Sequence, residues 1–230
     1  MVAAAGAVAL GVTSPPARAA GECNGLMVCV PVAGPWIVVP TPARAPRPTV
    51  RFQLTCPGGS VVGGVDAELS LRAIDVAFGA RMGSPVNPGI STERSAVFSA
   101  IFTGTRARVA TFRPHIGCIP GAGGGGRIPT AVGAAVPPGD AAVRRVRTAR
   151  VRSGGSTSVA VRCGPGERLV DAWHAVGFHG AQPPSAALVA SVRAARTLRA
   201  GRLSVAARAT AALGARRAVV QVAAVCGGAP

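Results

Sequence analysis

The chain contains no tyrosine and no lysine, and aromatic residues make up only 3% of its 230 positions. With so few aromatic rings there is little for a nucleobase to stack on, which argues against stacking-based binding of single-stranded nucleic acid. The core has to be built from Val, Ala, Leu and Ile. Acidic residues are scarce too: eight Asp and Glu stand against 25 basic residues, all of them arginine, for a formal net charge of +17. No internal stretch is long and apolar enough to cross a bilayer, so no membrane span is expected. There is no Gly-x-Ser-x-Gly elbow for a serine nucleophile. The glycine run Gly123 to Gly126 lacks the Lys-Ser/Thr of a phosphate loop and reads as a flexible linker. The cysteine spacings lack the close Cys/His pairs of a zinc site. No cofactor and no metal are expected. Arginine in place of lysine, with abundant Ala, Gly and Pro, points to a genome rich in GC, which is a codon-level cause.

What is present begins with a short apolar run at residues 2–12, followed by Ala17-Arg18-Ala19. A small-x-small triplet after such a run resembles a secretory signal peptide cut after Ala19. No basic residue precedes the run, and no cysteine follows the cut, so a bacterial lipid anchor is not suggested. The six cysteines, an even number, fit an oxidised, exported protein, either extracellular or associated with the cell wall. A genomic nucleic-acid partner is therefore not expected.

The cysteines also carry the architecture. Cys56 and Cys118 lie 62 residues apart, and Cys163 and Cys226 lie 63 apart. The strands leading into each segment alternate in the same way. Phe52, Leu54 and Cys56 share one face, as do Val159, Val161 and Cys163, because side chains repeat every two residues along a strand. The closing strands follow suit, with Phe112, Pro114, Ile116 and Cys118 on one face and Val220, Val222, Ala224 and Cys226 on the other copy's. A Pro/Gly turn follows each leading cysteine. Val65-Asp66-Ala67 then matches Val170-Asp171-Ala172, and Val76-Ala77-Phe78 matches Val176-Gly177-Phe178. Similarity at one long period is the mark of a duplicated unit. The expected pairs are Cys23–Cys29, Cys56–Cys118 and Cys163–Cys226. Closing a loop of about 60 residues stabilises by about 4 kcal/mol in the chain-entropy picture.

The chain divides into a signal peptide (1–19), an N-terminal Cys loop with a Pro-rich linker (20–50), a first β domain (51–120), a Gly/Pro-rich linker (121–142) and a second β domain (143–230). The fold class expected is all-β, with two tandem disulfide-closed β-sandwich-like domains. Trp36–Val39, Val97–Phe102 and Val143–Arg152 read as strands. Leu198-Arg199-Ala200-Gly201-Arg202-Leu203 is nearly palindromic, which predicts a tight hairpin pairing Leu198 with Leu203. Helix is the competing assignment for the Ala-rich Ser185–Ala218. Its apolar residues hold no helical stripe, and Gly201 and Gly214 interrupt it, so strand is favoured.

Few residues offer chemistry. Of the histidines, His115 is placed on the strand face opposite Cys118, towards solvent. His174 and His179 cannot converge with it on a metal without a bulge. Asp66 and Glu68 share a strand face and are the only plausible carboxylate pair for glycosidic acid–base work. A salt bridge to arginine, or acceptance of backbone N–H groups by Asp66 and Asp171, is the plainer role for these acids.

The strongest electrostatic feature is the stretch 143–152, with Arg144, Arg145, Arg147, Arg150 and Arg152. It is either a polyanion contact or a solvated strand face. From Asp140 onward, 14 arginines face three acids, a balance of +11, so the second half is the basic half.

Cys56-Pro57-Gly58-Gly59 with Gly63-Gly64, and a closing Ala224-Val225-Cys226, resemble extracellular Cys-bounded β domains of actinobacterial secreted proteins. Gly83-Ser84-Pro85-Val86-Asn87-Pro88-Gly89-Ile90 and Phe112-Arg113-Pro114-His115-Ile116-Gly117-Cys118 resemble one uncharacterised group of these. The resemblance implies no activity and no catalytic residues.

The function expected is a secreted, non-enzymatic binding or structural module. Its partner is an anionic cell-wall polymer or another extracellular protein. The alternatives are an extracellular hydrolase using Asp66 and Glu68, and a scaffold that binds proteins through exposed sheet edges.

Overall fold

The computed structural model describes residues 21–42, 45–79, 94–107, 109–121 and 143–227. The signal segment, the loop at 83–89 and nearly all of the 121–142 linker lie outside the described residues. In chain order the strands are β1 (Val30–Ala33), β2 (Trp36–Val39), β3 (Val50–Thr55), β4 (Ser60–Leu69), β5 (Ile74–Gly79), β6 (Ser95–Phe102), β7 (Ala110–Pro120), β8 (Val143–Val151), β9 (Ser156–Arg162) and β10 (Arg168–His179). After a five-residue helix α1 (Ala186–Ala190) come β11 (Val192–Arg199), β12 (Arg202–Ala209), a 3-10 turn (Ala211–Leu213) and β13 (Arg217–Gly227). Every pairing among them is antiparallel. The fold is all-β, with two tandem disulfide-closed sandwiches.

The two sandwiches share one strand order. The sheet β3-β6-β5 of the first corresponds to β9-β12-β11 of the second, and the pair β4, β7 corresponds to β10, β13. Each closing strand is also paired on its other side: β1 and β2 beside β7, and β8 beside β13. Even the irregularities correspond. A β-bulge follows Val62, which pairs with Cys118, and another follows Leu169, which pairs with Cys226. Because the bulges coincide, residues equally far from the two leading cysteines correspond. Asp171 takes the place of Gly64, and Trp173 the place of Asp66, so the two Asp residues are not equivalent. Val76-Ala77-Phe78 lies in β5 whereas Val176-Gly177-Phe178 lies in β10, so that match is coincidental.

Disulfides Cys56–Cys118 and Cys163–Cys226 each tie the leading strand of one sheet to the closing strand of the other, and Cys23–Cys29 closes a six-residue loop. The pairings are those expected. Phe52, Phe98, Phe102, Phe112, Ile116 and the first disulfide fill one core. Val205, Leu203, Val220, Val222, Phe178 and the second disulfide fill the other. The Ala-rich segment is strand because Leu203, Val205, Ala207 and Ala209 alternate inward along β12. Ala200 and Gly201 both have positive φ, which is what a two-residue hairpin with Leu198 opposite Leu203 requires. Helix is confined to α1, capped by Ser185, whose Oγ accepts the Leu188 N–H at 3.2 Å.

The sandwiches are joined. β2 pairs with β7 on one side and with β10 on the other, so the head at 21–39 supplies strands to a continuous seven-stranded sheet. That sheet covers both faces of β3-β6-β5. Phe98 of β6 points to the first core, while its neighbour Val97 packs with Trp173, Ala223, Val146 and Val225 from the second half.

Candidate anion-binding cleft

β8 and β9 belong to different sheets and are linked by the turn at 152–155. Next to that turn the Thr157 hydroxyl donates to the Arg150 carbonyl at 3.1 Å. Away from it lies a cleft of about 730 Å³. Its walls are residues 145–147 of β8, Ser158 and residues 160–162 of β9, the Cys163-Gly164-Pro165 turn, and Arg202 at the start of β12. Cross-strand pairing fixes which way these side chains point. Arg145 and Arg147 sit opposite Ala224 and Val222, which face the second core, so they lie on the inner side of β8. Arg162 sits opposite Arg202 on the outer face of the neighbouring sheet.

One acid enters this group. Glu167 takes a bidentate pair of hydrogen bonds from Arg145, at 2.6 and 2.8 Å, and another from the Gly164 N–H at 2.6 Å. The Arg145 side chain first, and the Gly164 N–H second, hold the Glu167 carboxyl below the usual carboxylate range. Arg145 is thereby fixed in orientation, and Arg147, Arg162 and Arg202 face the cleft with no acid among the described residues of its wall. Forks of this kind suit carboxylate, sulfate and phosphate groups, which they grip through paired N–H donors.

Of the five arginines singled out in the sequence, the structure gathers Arg145 and Arg147 in the cleft. Arg144 lies on the other side of β8, where it donates to Gln53 Oε1 at 3.2 Å. Arg150, opposite Val219, shares that side, and Arg152 is in the turn. Arg162 and Arg202 were missed. The near-palindrome about Ala200-Gly201 was their only sequence signal, since it sets Arg202 next to the hairpin.

The carboxylates cluster elsewhere. Asp66 Oδ2 accepts the Gly21 N–H at 2.6 Å and its Oδ1 accepts its neighbour Ala67 N–H at 2.7 Å. Glu68 lies 3.5 Å from His115 Nε2 and 3.8 Å from Arg113. The other His115 nitrogen is 3.6 Å from Glu22. His115 is buried, contrary to the solvent-facing position expected. It does point away from Cys118, but the 21–29 loop lies over that face. The loop can lie so close because Gly64 and Gly117 present no side chain: a Cβ at either would collide with the Glu22 carbonyl.

His174 and His179 lie apart from His115. Burial, then the Arg196 charge, pushes the His174 pKa down; burial, then Arg217 and Arg113, does the same to His179. Among the described residues the cluster of potential metal donors is Cys163, Glu167 and Cys226, whose two sulfurs are bonded to each other.

No family model, no curated protein and no solved structure matches this chain. The cleft has to be interpreted from its own chemistry.

Proposed function

We propose that this is an exported, non-enzymatic binding module that holds an anionic partner in the arginine cleft. The observation that carries the proposal is the convergence of Arg145, Arg147, Arg162 and Arg202 from three strands, where the one acid among the described residues is already engaged. Isolated surface arginines on a chain of this charge would carry no such meaning. Export is supported by the apolar run and cleavage triplet at 2–19 and by three disulfides, which persist in oxidising compartments. No helix among the described residues is long and apolar enough to cross a membrane. The shared strand order and paired bulges support descent of the two sandwiches from one duplicated unit.

The hydrolase alternative has less support. Both oxygens of Asp66 are engaged by backbone N–H groups, so Asp66 is not a free partner for Glu68. Elution from immobilised heparin or teichoic acid across a salt gradient tests the proposal. Retention well above physiological salt is expected, and elution at low salt removes the idea.

A further inference from the structure

We propose that the cleft's ligand is an extended, acidic polypeptide segment that adds to the free edge of β9. This rests on the anion-binding reading above and names its ligand class. β9 pairs with β12 on one side, and no strand among the described residues pairs with the other. The direction of its backbone groups follows from one bond. Cys163 N–H donates to the Gly201 carbonyl, on the β12 side, at 3.2 Å. In an antiparallel ladder alternate residues bond to the same neighbour, so Val161 and Val159 turn their N–H and C=O groups to β12 in step with Cys163. Ser158, Ala160 and Arg162 turn theirs the opposite way. These three residues line the cleft. Its floor is therefore a row of backbone donors and acceptors that no described strand pairs.

Such an edge is a template for another strand. Main-chain bonds then supply affinity, and pockets for alternate side chains supply specificity. A strand added beside β9 places one set of side chains beside Arg162 and Arg202, and the other set towards Arg145 and Arg147. Both sets meet arginine, so acidic residues at successive positions are accommodated. The cleft lining has no aromatic side chain, which leaves neither a base nor a sugar ring a face to stack on. A peptide needs no such face.

The test compares poly-L-glutamate with polyacrylate, which carries carboxylates but no amide backbone, in binding to the full-length protein. Ala160→Pro removes an outward N–H at an edge position, where proline is tolerated. It is expected to weaken poly-L-glutamate roughly tenfold, the equivalent of one or two lost main-chain bonds, and to leave polyacrylate unchanged. The double variant Arg162→Ala/Arg202→Ala is expected to weaken both. Equal affinity for the two polymers with an indifferent Ala160→Pro overturns strand addition and leaves a cleft for anionic polymers in general. Failure of both polymers to bind at low salt removes the anion-binding reading itself. Should Ala160→Pro not fold, a Glu-rich peptide N-methylated at alternate residues puts the same question to the unaltered protein. A roughly tenfold loss on methylation is expected, and unchanged binding overturns the proposal.

Discussion

Gln221 on β13 completes the backbone edge of Gln53 on β3. Its side-chain Oε1 accepts the Gln53 N–H at 2.7 Å, and its Nε2 donates to the Gln53 carbonyl at 3.0 Å. A primary amide has the same donor and acceptor as a peptide group, so Gln221 serves as a one-residue partner strand. Its Nε2 also reaches Thr148 Oγ1 on β8 at 3.2 Å. Gln221 is 3% exposed, so water does not take its place. Around it, Arg51 pairs with Asp171 and lies 5.6 Å from the Trp173 ring centre. These contacts fix the two sandwiches to one another and cap the β3 edge at Gln53.

Replacing Gln221 by Ala leaves the part-buried N–H and carbonyl of Gln53 without partners. A loss of about 1–3 kcal/mol in denaturant unfolding is expected. Gln53→Ala is the control. The bonds use its backbone, and its side chain meets only exposed partners, so a change of under about 0.5 kcal/mol is expected. Equal effects from the two variants would refute the edge-capping role.

Gly64→Ala or Gly117→Ala drives a Cβ into the Glu22 carbonyl. The 21–29 loop must then lift from β4 and β7. Hydrogen exchange should rise in residues 21–29 and at His115, with protection in β9–β13 unchanged.

The large disulfide loops differ from the small one in what they restrict. Removing Cys56–Cys118 or Cys163–Cys226 as a pair of alanines is expected to lower stability by about 4 kcal/mol, and removing Cys23–Cys29 by about 2 kcal/mol. Denaturant titration of the three double variants checks the order.

Acid should weaken the fold in two stages. His174 and His179 have folded-state pKa values below the ordinary 6.5. The unfolded chain therefore takes up protons first as pH falls past about 6.5, and stability declines from there until the folded-state values are passed. Glu167 acts lower on the scale. Its folded pKa is below the ordinary 4.5, so its contribution is present above about 4.5 and is lost as pH falls through the folded value. His174→Gln with His179→Gln should flatten the decline in denaturation midpoint that begins below about pH 6.5 and leave the more acidic stage in place.

Much of this was legible in the sequence, for a physical reason. Period-two alternation ending in an inward cysteine identifies a strand and its covalent partner together, as at Phe52-x-Leu54-x-Cys56 and Val159-x-Val161-x-Cys163. The hairpin at Ala200-Gly201 was legible because its strands are neighbours in sequence. What depends on distant strands was not. The bulges after Val62 and Leu169 fall at the same place in both copies, and no local residue signals either one. His115 was assigned its correct strand face, but nothing local signals that the 21–29 loop covers it. Trp36–Val39 reads as a strand without revealing that it bridges β7 and β10. The cleft unites residues near 146, 162 and 202, and only the strand order brings them together.

The measurement that tests the central claim most directly is salt-gradient elution from immobilised heparin by two triple variants of equal charge. One removes Arg147, Arg162 and Arg202 from the cleft; the other removes Arg193, Arg208 and Arg216, which lie outside it. A cleft that holds anions predicts markedly earlier elution for the first variant, with the second close to the unaltered protein. Equal shifts for the two would mean that total charge alone governs retention and would contradict the account.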